Sequence, residues 1–169
     1  MATLVSEGKV RWAGVSNFDV ALLERCEAIR HVDCVQPELS LLRPEALEDV
    51  IPWCGARGTG VIAYSPLGTG ALARAGGATH GQAEGDDELL PRGAAAHERL
   101  RAIGARIGAS PRELAVAWAL SNAGVTGVIC GARTPEQVDG WIGASDVELA
   151  PEEVAEIGAI PKTRGLAAG

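Results

Sequence analysis

Short apolar runs alternate with stretches of helical periodicity along most of this chain. Four of these runs predict buried strands, because each is short, largely apolar and bounded by glycine, proline or polar residues. They are Lys9–Asn17, Val32–Gln36, Gly60–Tyr64 and Gly127–Cys130. Short apolar strands that alternate with helices predict a parallel sheet covered by helices.

Helical spacing follows the first predicted strand. Asp19 is placed to cap a helix there, since a carboxylate at this position accepts hydrogen bonds from the first free backbone N–H groups. The apolar residues after it fall at intervals typical of one helix face. They are Leu22, Leu23, Cys26 and Ile29.

A second helix is predicted over Pro44–Arg57, with Gly58 just past its end. Pro52 lies inside this span, so we expect a kink or an early stop there. Three later segments also have helical patterns: His97–Ile107, Pro111–Asn122 and Pro135–Ile142.

The stretch between the third and fourth strands is longer than an ordinary connection. Its residues Ala71–Gly93 are rich in Gly, Ala and Asp, which predicts a mobile insertion, and the tail 161–169 should fray. The remainder predicts a single domain over residues 1–160, with four parallel βα units plus extra helices. An eight-stranded barrel takes about 250 residues, so the predicted fold class is an α/β, TIM-barrel-like half barrel.

Composition and charge exclude several classes of partner. The net charge is -7, which argues against nucleic acid or an anionic membrane surface. The N-terminus lacks a signal-peptide pattern, and no apolar run approaches the roughly 20 residues of a membrane span. The four cysteines are scattered without metal-ligand spacing, so we predict no metal site and read them mainly as packing residues in a reducing cytoplasm.

Polar residues gather where the predicted strands end. The first strand ends in Ser16-Asn17 and the second in Gln36. The third is followed by Tyr64-Ser65-Pro66-Leu67-Gly68, and the fourth by Gly131-Ala132-Arg133-Thr134, with Gln137 in the next helix. Ligands of parallel α/β folds bind at the carboxyl ends of the strands, so these residues are the candidate site.

The residue types at these ends suit a dinucleotide. Ser, Asn and Gln side chains can bind a carboxamide, and a Tyr face can stack on a planar ring. A glycine-rich turn lets backbone N–H groups approach a pyrophosphate, and Arg133 can bind a phosphate with two parallel hydrogen bonds. Taken singly, Ser16-Asn17 could cap a turn, Tyr64 could pack in a core and Gln137 could face solvent; their joint placement favours a ligand site.

Four segments together carry a family resemblance. GKVRWAGVSNF (residues 8–18), QPELSLL (36–42), GVIAYSPLGTGAL (60–72) and GVICGARTPEQV (127–138) resemble strands five to eight of the aldo-keto reductase barrel, in order and at the family's spacing. The resemblance covers about residues 8–160. The preceding segment MATLVSEGKVR resembles the helix before strand five.

The resemblance implies roles for the strand-end residues, with NADP(H) as the cofactor. Ser16, Asn17 and Gln36 would bind the nicotinamide carboxamide, and Tyr64 would stack beneath the ring. The pyrophosphate would be wrapped by Ser65, Pro66, Leu67, Gly68 and Gly70. The adenosine and its phosphate would be bound by Gly131, Ala132, Arg133, Thr134 and Gln137.

One part of the adenosine side departs from the family pattern. Gly140 and Trp141 stand where a carboxylate or amide is common. Trp141 either stacks on adenine in its place or packs into the fold.

The family's catalytic Asp, Tyr, Lys and His come from strands two to four, which would precede residue 1. Tyr64 is the only tyrosine and stands at the stacking position, while Lys9 and Lys162 lie away from the catalytic strand ends. We therefore expect no standard carbonyl reduction from this chain alone. Met1 is either an internal residue of a longer protein or a true start.

A half barrel leaves its first and last strands unpaired, which favours association. We expect a homodimer in preference to a complementary half barrel.

Two other functions stay open: a non-redox cyclase, lyase or isomerase acting on a small-molecule substrate, and a binding module without catalysis. Glu38 is the candidate catalytic residue for the non-redox enzyme. We interpret Cys130 as a packing residue in preference to a catalytic one, and the acidic run 86–88 as solvated surface in preference to a lid over the site.

Overall fold

Four parallel strands form one sheet in the computed structural model, which describes residues 1–73 and 86–160, with only the backbone at 86–88. The strands are β1 (Gly14–Ser16), β2 (Cys34–Gln36), β3 (Gly60–Tyr64) and β4 (Gly127–Ile129), and they lie in sequence order. The predicted parallel sheet is confirmed, and β3 has the predicted bounds.

The first strand is shorter than the predicted Lys9–Asn17. β1 has β2 as its neighbour, and the two pair only from Gly14–Cys34 to Ser16–Gln36. The backbone N–H groups of Lys9 and Val10 instead donate to Leu4 O, in the turn that follows the first helix. A strand extends only as far as a neighbouring strand pairs with its backbone N–H and C=O groups. The length of the apolar run therefore predicted too long a strand.

Seven α-helices accompany the sheet in the described residues. They are α1 (Ala2–Ser6), α2 (Val20–Glu27), α3 (Val50–Arg57), α4 (Asp86–Ile107), α5 (Pro111–Ser121), α6 (Pro135–Asp139) and α7 (Pro151–Gly158). Short 3-10 segments occupy Glu45–Leu47, Gly68–Gly70 and Ile142–Asp146. The predicted cap of α2 is confirmed, since Asp19 Oδ1 accepts from Leu22 N at 2.8 Å.

The predicted helix Pro44–Arg57 is wrong as one element. It divides into the 3-10 segment and α3, and the break falls at Asp49, whose side chain caps Val50 N. Pro52 causes no kink because it is the third residue of α3, where the backbone N–H would have no helical acceptor. Gly58 ends the helix in the left-handed conformation, with φ 69°, as expected.

The predicted mobile insertion Ala71–Gly93 is corrected at its end, because residues 86–93 form the first turns of α4. Leu89, Gly93, Ala96 and Leu100 recur at helical spacing along that helix and are buried. Gly93 lies so close to Ala71 that a Cβ there would be 2.6 Å from Ala71 Cβ. The rest of the insertion (74–85) and the tail 161–169 lie outside the described residues.

The helices of the described residues cover one face of the sheet and leave the other open. Val35, Val61 and Ala63 point to the helices and are fully buried. On the opposite face, Ile62 is 39% exposed and Ile129 is 43% exposed. The uncovered face is the one that lines the interior when such a sheet closes into a barrel.

Over the described residues, none of the helices combines the length and apolar character that crossing a membrane requires.

Candidate functional site

The ends of the four strands lie along one edge of the sheet. The register pairs Ser16 with Gln36 and Tyr64 with Ile129. Ser16 Oγ donates to the backbone oxygen of Gln36 at 2.8 Å, and Asn17 N donates to the same oxygen at 3.2 Å. The structure thus brings together the residues predicted to bind a carboxamide.

Tyr64 and Asn17 are joined across the end of β2. The Tyr64 hydroxyl donates to Asn17 Oδ1 at 3.0 Å. The bond uses an acceptor of the Asn17 amide and leaves its N–H donors for another group. The tyrosine side chain is therefore fixed beside the ends of the first two strands.

Three residues at these ends have strained backbones. Asn17 (φ 58°), Ser65 (φ 56°) and Thr69 (φ 53°) are the non-glycine residues with positive φ in the described part of the chain. Each such conformation costs about 1–3 kcal/mol, and residues of this kind cluster at functional sites. Asn17 and Ser65 directly follow strand ends, and Thr69 is in the turn beyond β3.

The turn after β3 is closed by its own backbone. Gly68 N donates to Ser65 O at 2.8 Å, and Gly70 N donates to Leu67 O at 3.1 Å. Gly68 has φ 56°, and a Cβ there would lie 3.1 Å from a methyl group of Leu42. Pro66 and Gly68 are buried, so they support the turn from within the fold.

A cleft of about 300 Å³ lies between this turn and the loop after β4. It is lined by Leu67, Thr69, Gly70, Ala73, Arg112, Gly131, Ala132, Arg133, Gln137 and Trp141. Two of these residues carry guanidinium groups and none carries a carboxylate, although the whole chain has a net charge of -7. The cleft therefore favours an anionic ligand.

The loop after β4 is ordered by the helix that follows it. Gln137 Oε1 accepts a hydrogen bond from Arg133 N at 2.8 Å. Thr134 precedes α6 and is exposed, outside the lining of the cleft. A backbone hydrogen bond within Glu136, and one to the Thr134 side chain, hold the pKa of the Glu136 carboxyl below its usual value.

The comparisons with known proteins agree with this geometry. The profile of the aldo/keto reductase family matches residues 1–162. The chain belongs to the aldo/keto reductase family.

Several family relatives are about twice as long as this chain. An uncharacterised oxidoreductase of Mycobacterium bovis is 35% identical over 161 residues, which cover 90% of this chain and 50% of that protein. A glycerol dehydrogenase from Gluconobacter oxydans superposes with a TM-score of 0.77 at 25% identity, over 99% of this chain and 55% of its own. A thermostable aldo-keto reductase solved with the inhibitor epalrestat gives 0.72 at 23%, over 95% and 52%. The predicted half-barrel fold is thereby confirmed.

The cleft of this aldo/keto reductase family member includes residues outside the set predicted from the sequence. Arg112 and Ala73 come from α5 and from the end of the turn, and Arg112 Nε donates to Ala73 O at 3.2 Å. Thr69 lines the cleft between the two predicted residues Gly68 and Gly70. Nothing in the sequence around Arg112 points to a ligand, because its place depends on how α5 packs.

Trp141 forms part of the cleft wall. Its indole Nε1 is buried and has no hydrogen-bond partner among the residues described. The ring therefore packs into the fold and also presents a surface to the cleft.

The other candidate residues have structural partners. Glu38 pairs with Arg43 at 3.1 Å in a separate groove of about 630 Å³, which Asn17 also lines. Burial raises the pKa of the Cys130 thiol to about 11, which keeps it protonated at neutral pH and suits a packing role. Among the described side chains of residues 1–73 and 89–160, no group of three His, Cys, Asp or Glu is placed to hold a metal ion.

Proposed function

We propose that this chain is the cofactor-binding half of an NADP(H)-dependent aldo/keto reductase barrel, and that four further strands close the barrel over it. The observation that carries the proposal is the cleft with two arginines and no carboxylate, beside strand ends held in strained conformations. A ligand with a planar amide at one end and phosphates at the other suits both the strand ends and the cleft.

The residues present fit such a dinucleotide. Ser16, Asn17, Gln36 and Tyr64 would hold the nicotinamide end, where Asn17 keeps free amide donors. The turn formed by Ser65, Pro66, Leu67, Gly68 and Gly70 would hold the pyrophosphate, with Pro66 and Gly68 supporting it from the core. Gly131, Ala132, Arg133, Thr134 and Gln137 would hold the adenosine end. When bound, the cofactor supplies or accepts a hydride.

The substrate of the closed barrel would be a small carbonyl compound or the corresponding alcohol. General acid catalysis needs a donor within reach of the developing alkoxide. Tyr64 is not placed for this, because its hydroxyl proton is donated to Asn17. We propose that the closing strands supply the acid–base residues when they belong to a complementary half barrel, whereas a second copy of this chain would close the barrel without them.

Closure by a second copy is the favoured arrangement. β1 and β4 are the two ends of the strand order, and the described helices leave the face that carries Ile62 and Ile129 uncovered. A two-fold pair would place β4 of each copy beside β1 of the other and enclose both apolar faces. A complementary half barrel on a separate polypeptide is the alternative partner.

No observation favours the non-redox alternative. Glu38 is the candidate for such chemistry, and Arg43 neutralises it. Glu38→Gln is therefore a useful control that should leave cofactor binding unchanged.

Titration of the full chain with NADPH tests the proposal, with the fluorescence of the reduced nicotinamide as the readout. We expect saturable binding that Arg133→Ala weakens by about tenfold, the effect of losing a charge-assisted hydrogen bond to phosphate. Absence of binding at about 1 mM NADPH, which corresponds to only about -4 kcal/mol, would reject the cofactor function.

A further inference from the structure

The cleft contains a guanidinium group that the strand-end pattern does not account for. Arg112 is the second residue of α5, a helix that begins with Ser110 as its cap and has a buried apolar side made of Leu114, Ala115 and Trp118. Arg112 itself is only partly buried and extends from the helix into the cleft that Arg133 also lines. The two arginines reach one cavity from separate elements.

Arg112 is held in place by the turn after β3. Its Nε donates to the backbone oxygen of Ala73 at 3.2 Å. This single bond orients the planar group and leaves its two terminal nitrogens without a partner among the described residues. A guanidinium presents its N–H donors as a rigid fork, the geometry that matches two oxygens of one phosphate.

Gly140 provides the space that the guanidinium occupies. A Cβ at position 140 would lie 2.5 Å from Arg112 Nη1 and 3.2 Å from Arg112 Cδ. The glycine is not needed for its backbone, because its φ of -71° and ψ of -10° are ordinary helical values that alanine adopts freely. Its role in this fold is therefore to make room for Arg112.

We propose that Arg112 binds a phosphate of the adenine dinucleotide opposite Arg133, and that Gly140 allows it to do so. The proposal rests on the cofactor function proposed above and assigns a binding residue to α5. The phosphate is either the pyrophosphate, beside Gly70, or the phosphate of the adenosine ribose, beside Arg133.

Binding of NADPH and NADH to the unsubstituted chain, to four single variants and to one double variant tests this assignment. Arg112→Ala removes the fork, Arg112→Lys keeps a charge without it, and Gly140→Ala pushes the guanidinium aside while it leaves every charge in place. Because Nη1 is the far end of a flexible side chain, the alanine should not disturb the fold. Arg101→Ala removes an equal charge from α4, outside the cleft, and is the matched control.

We expect Arg112→Ala to weaken NADPH binding by about tenfold, with Arg112→Lys intermediate and Arg101→Ala unchanged. Gly140→Ala should also weaken binding, and the double variant Arg112→Ala/Gly140→Ala should bind no worse than Arg112→Ala alone, since both changes remove one interaction. An equal loss for NADH and NADPH assigns the pyrophosphate, and a loss confined to NADPH assigns the ribose phosphate. Thermal midpoints should stay within a few degrees, which separates this effect from a folding defect.

The proposal fails if the unsubstituted chain binds NADPH and Arg112→Ala binds it equally well; the cofactor function then stands. If the chain binds no dinucleotide, adenosine 2′,5′-bisphosphate and inorganic pyrophosphate are titrated instead, with tryptophan fluorescence as the readout. Loss of their binding in Arg112→Ala supports the phosphate role while the cofactor function is rejected. The phosphate role of Arg112 is overturned if neither probe binds, or if Arg112→Ala binds them as well as the unsubstituted chain does.

Discussion

The Tyr64 hydroxyl lies 3.0 Å from Asn17 Oδ1 and joins the end of the third strand to the end of the first, across the second. Asn17 has a left-handed backbone, with φ 58°. The bond therefore fixes the orientation of both side chains at the place where the nicotinamide is proposed to lie.

Tyr64→Phe tests the value of that bond, because it removes the hydroxyl and keeps the ring. We expect NADPH binding to weaken by about threefold, since a neutral hydrogen bond contributes about 0.5–1.5 kcal/mol. Tyr64→Ala should weaken it further through loss of the ring face. Asn17→Gly, which keeps the backbone conformation and removes the amide, should also lower affinity. Equal affinity in Tyr64→Phe and Tyr64→Ala would show that the ring does not contact the cofactor.

The open face of the sheet leads to a prediction about assembly. Ile62 is 39% exposed in the single chain, and a charge there should cost little in folding but prevent burial of this face. We expect the unsubstituted chain to run as a dimer in light scattering and Ile62→Glu to run as a monomer. Ile29→Glu, at a 79% exposed position, is the control and should remain dimeric. A strictly monomeric unsubstituted chain would contradict self-association.

The sequence contained most of the information on the sheet, because strands buried on one face leave short apolar runs. The bounds of β3 were predicted fully, whereas β2, which also has a neighbour on each side, begins two residues later than predicted. Those of β1 were not, because an edge strand ends where its single partner ends. The start of α4 was missed for a different reason. Its buried side includes the small residues Gly93 and Ala96, and a stretch rich in Gly and Ala was interpreted as a loop.

The candidate site also contains residues that the sequence predicted and residues that it did not. Ser16, Gln36 and Tyr64 were predictable because parallel strands bring their carboxyl ends to one edge. Arg112 was not, because its contact with the cleft depends on the packing of α5 and on a glycine 28 positions later in the sequence. The space that Gly140 leaves for Arg112 cannot be predicted from the spacing of hydrophobic residues along the chain.

The contact between Gly93 and Ala71 predicts opposite effects of one substitution at two glycines. In Gly93→Ala the new Cβ would meet Ala71 O at 2.6 Å, so α4 must shift, at a cost of about 1–3 kcal/mol in the free energy of unfolding. Gly55 lies in α3 with nothing near its Cβ position, so Gly55→Ala should stabilise by about 0.4–1 kcal/mol. Urea unfolding measures both. Similar values for the two variants would contradict the close packing of α4.

Asp33 links β1 to the rest of the sheet and makes stability depend on pH. Its Oδ2 accepts from Arg30 Nη1 at 2.6 Å and from Ala13 N at 2.8 Å. The Arg30 bond first, and then the Ala13 bond, hold the pKa of the carboxyl below its usual value. A carboxyl with a lowered folded-state pKa stabilises the fold fully above its unfolded-state pKa of about 3.9. That contribution is lost as the pH falls through the folded-state value.

Asp33→Asn should therefore lower the free energy of unfolding by about 1 kcal/mol at pH 7, where the charged hydrogen bonds are intact. The difference from the unsubstituted chain should shrink as the pH is lowered below about 4, because protonation then removes the same charge from Asp33 itself. Urea midpoints at pH 7 and about pH 2.5 measure this. Asp146→Asn makes the same charge change at an exposed position and corrects for the general effect of charge. A difference that stays constant over this range would mean that Asp33 acts through its shape and not through its charge.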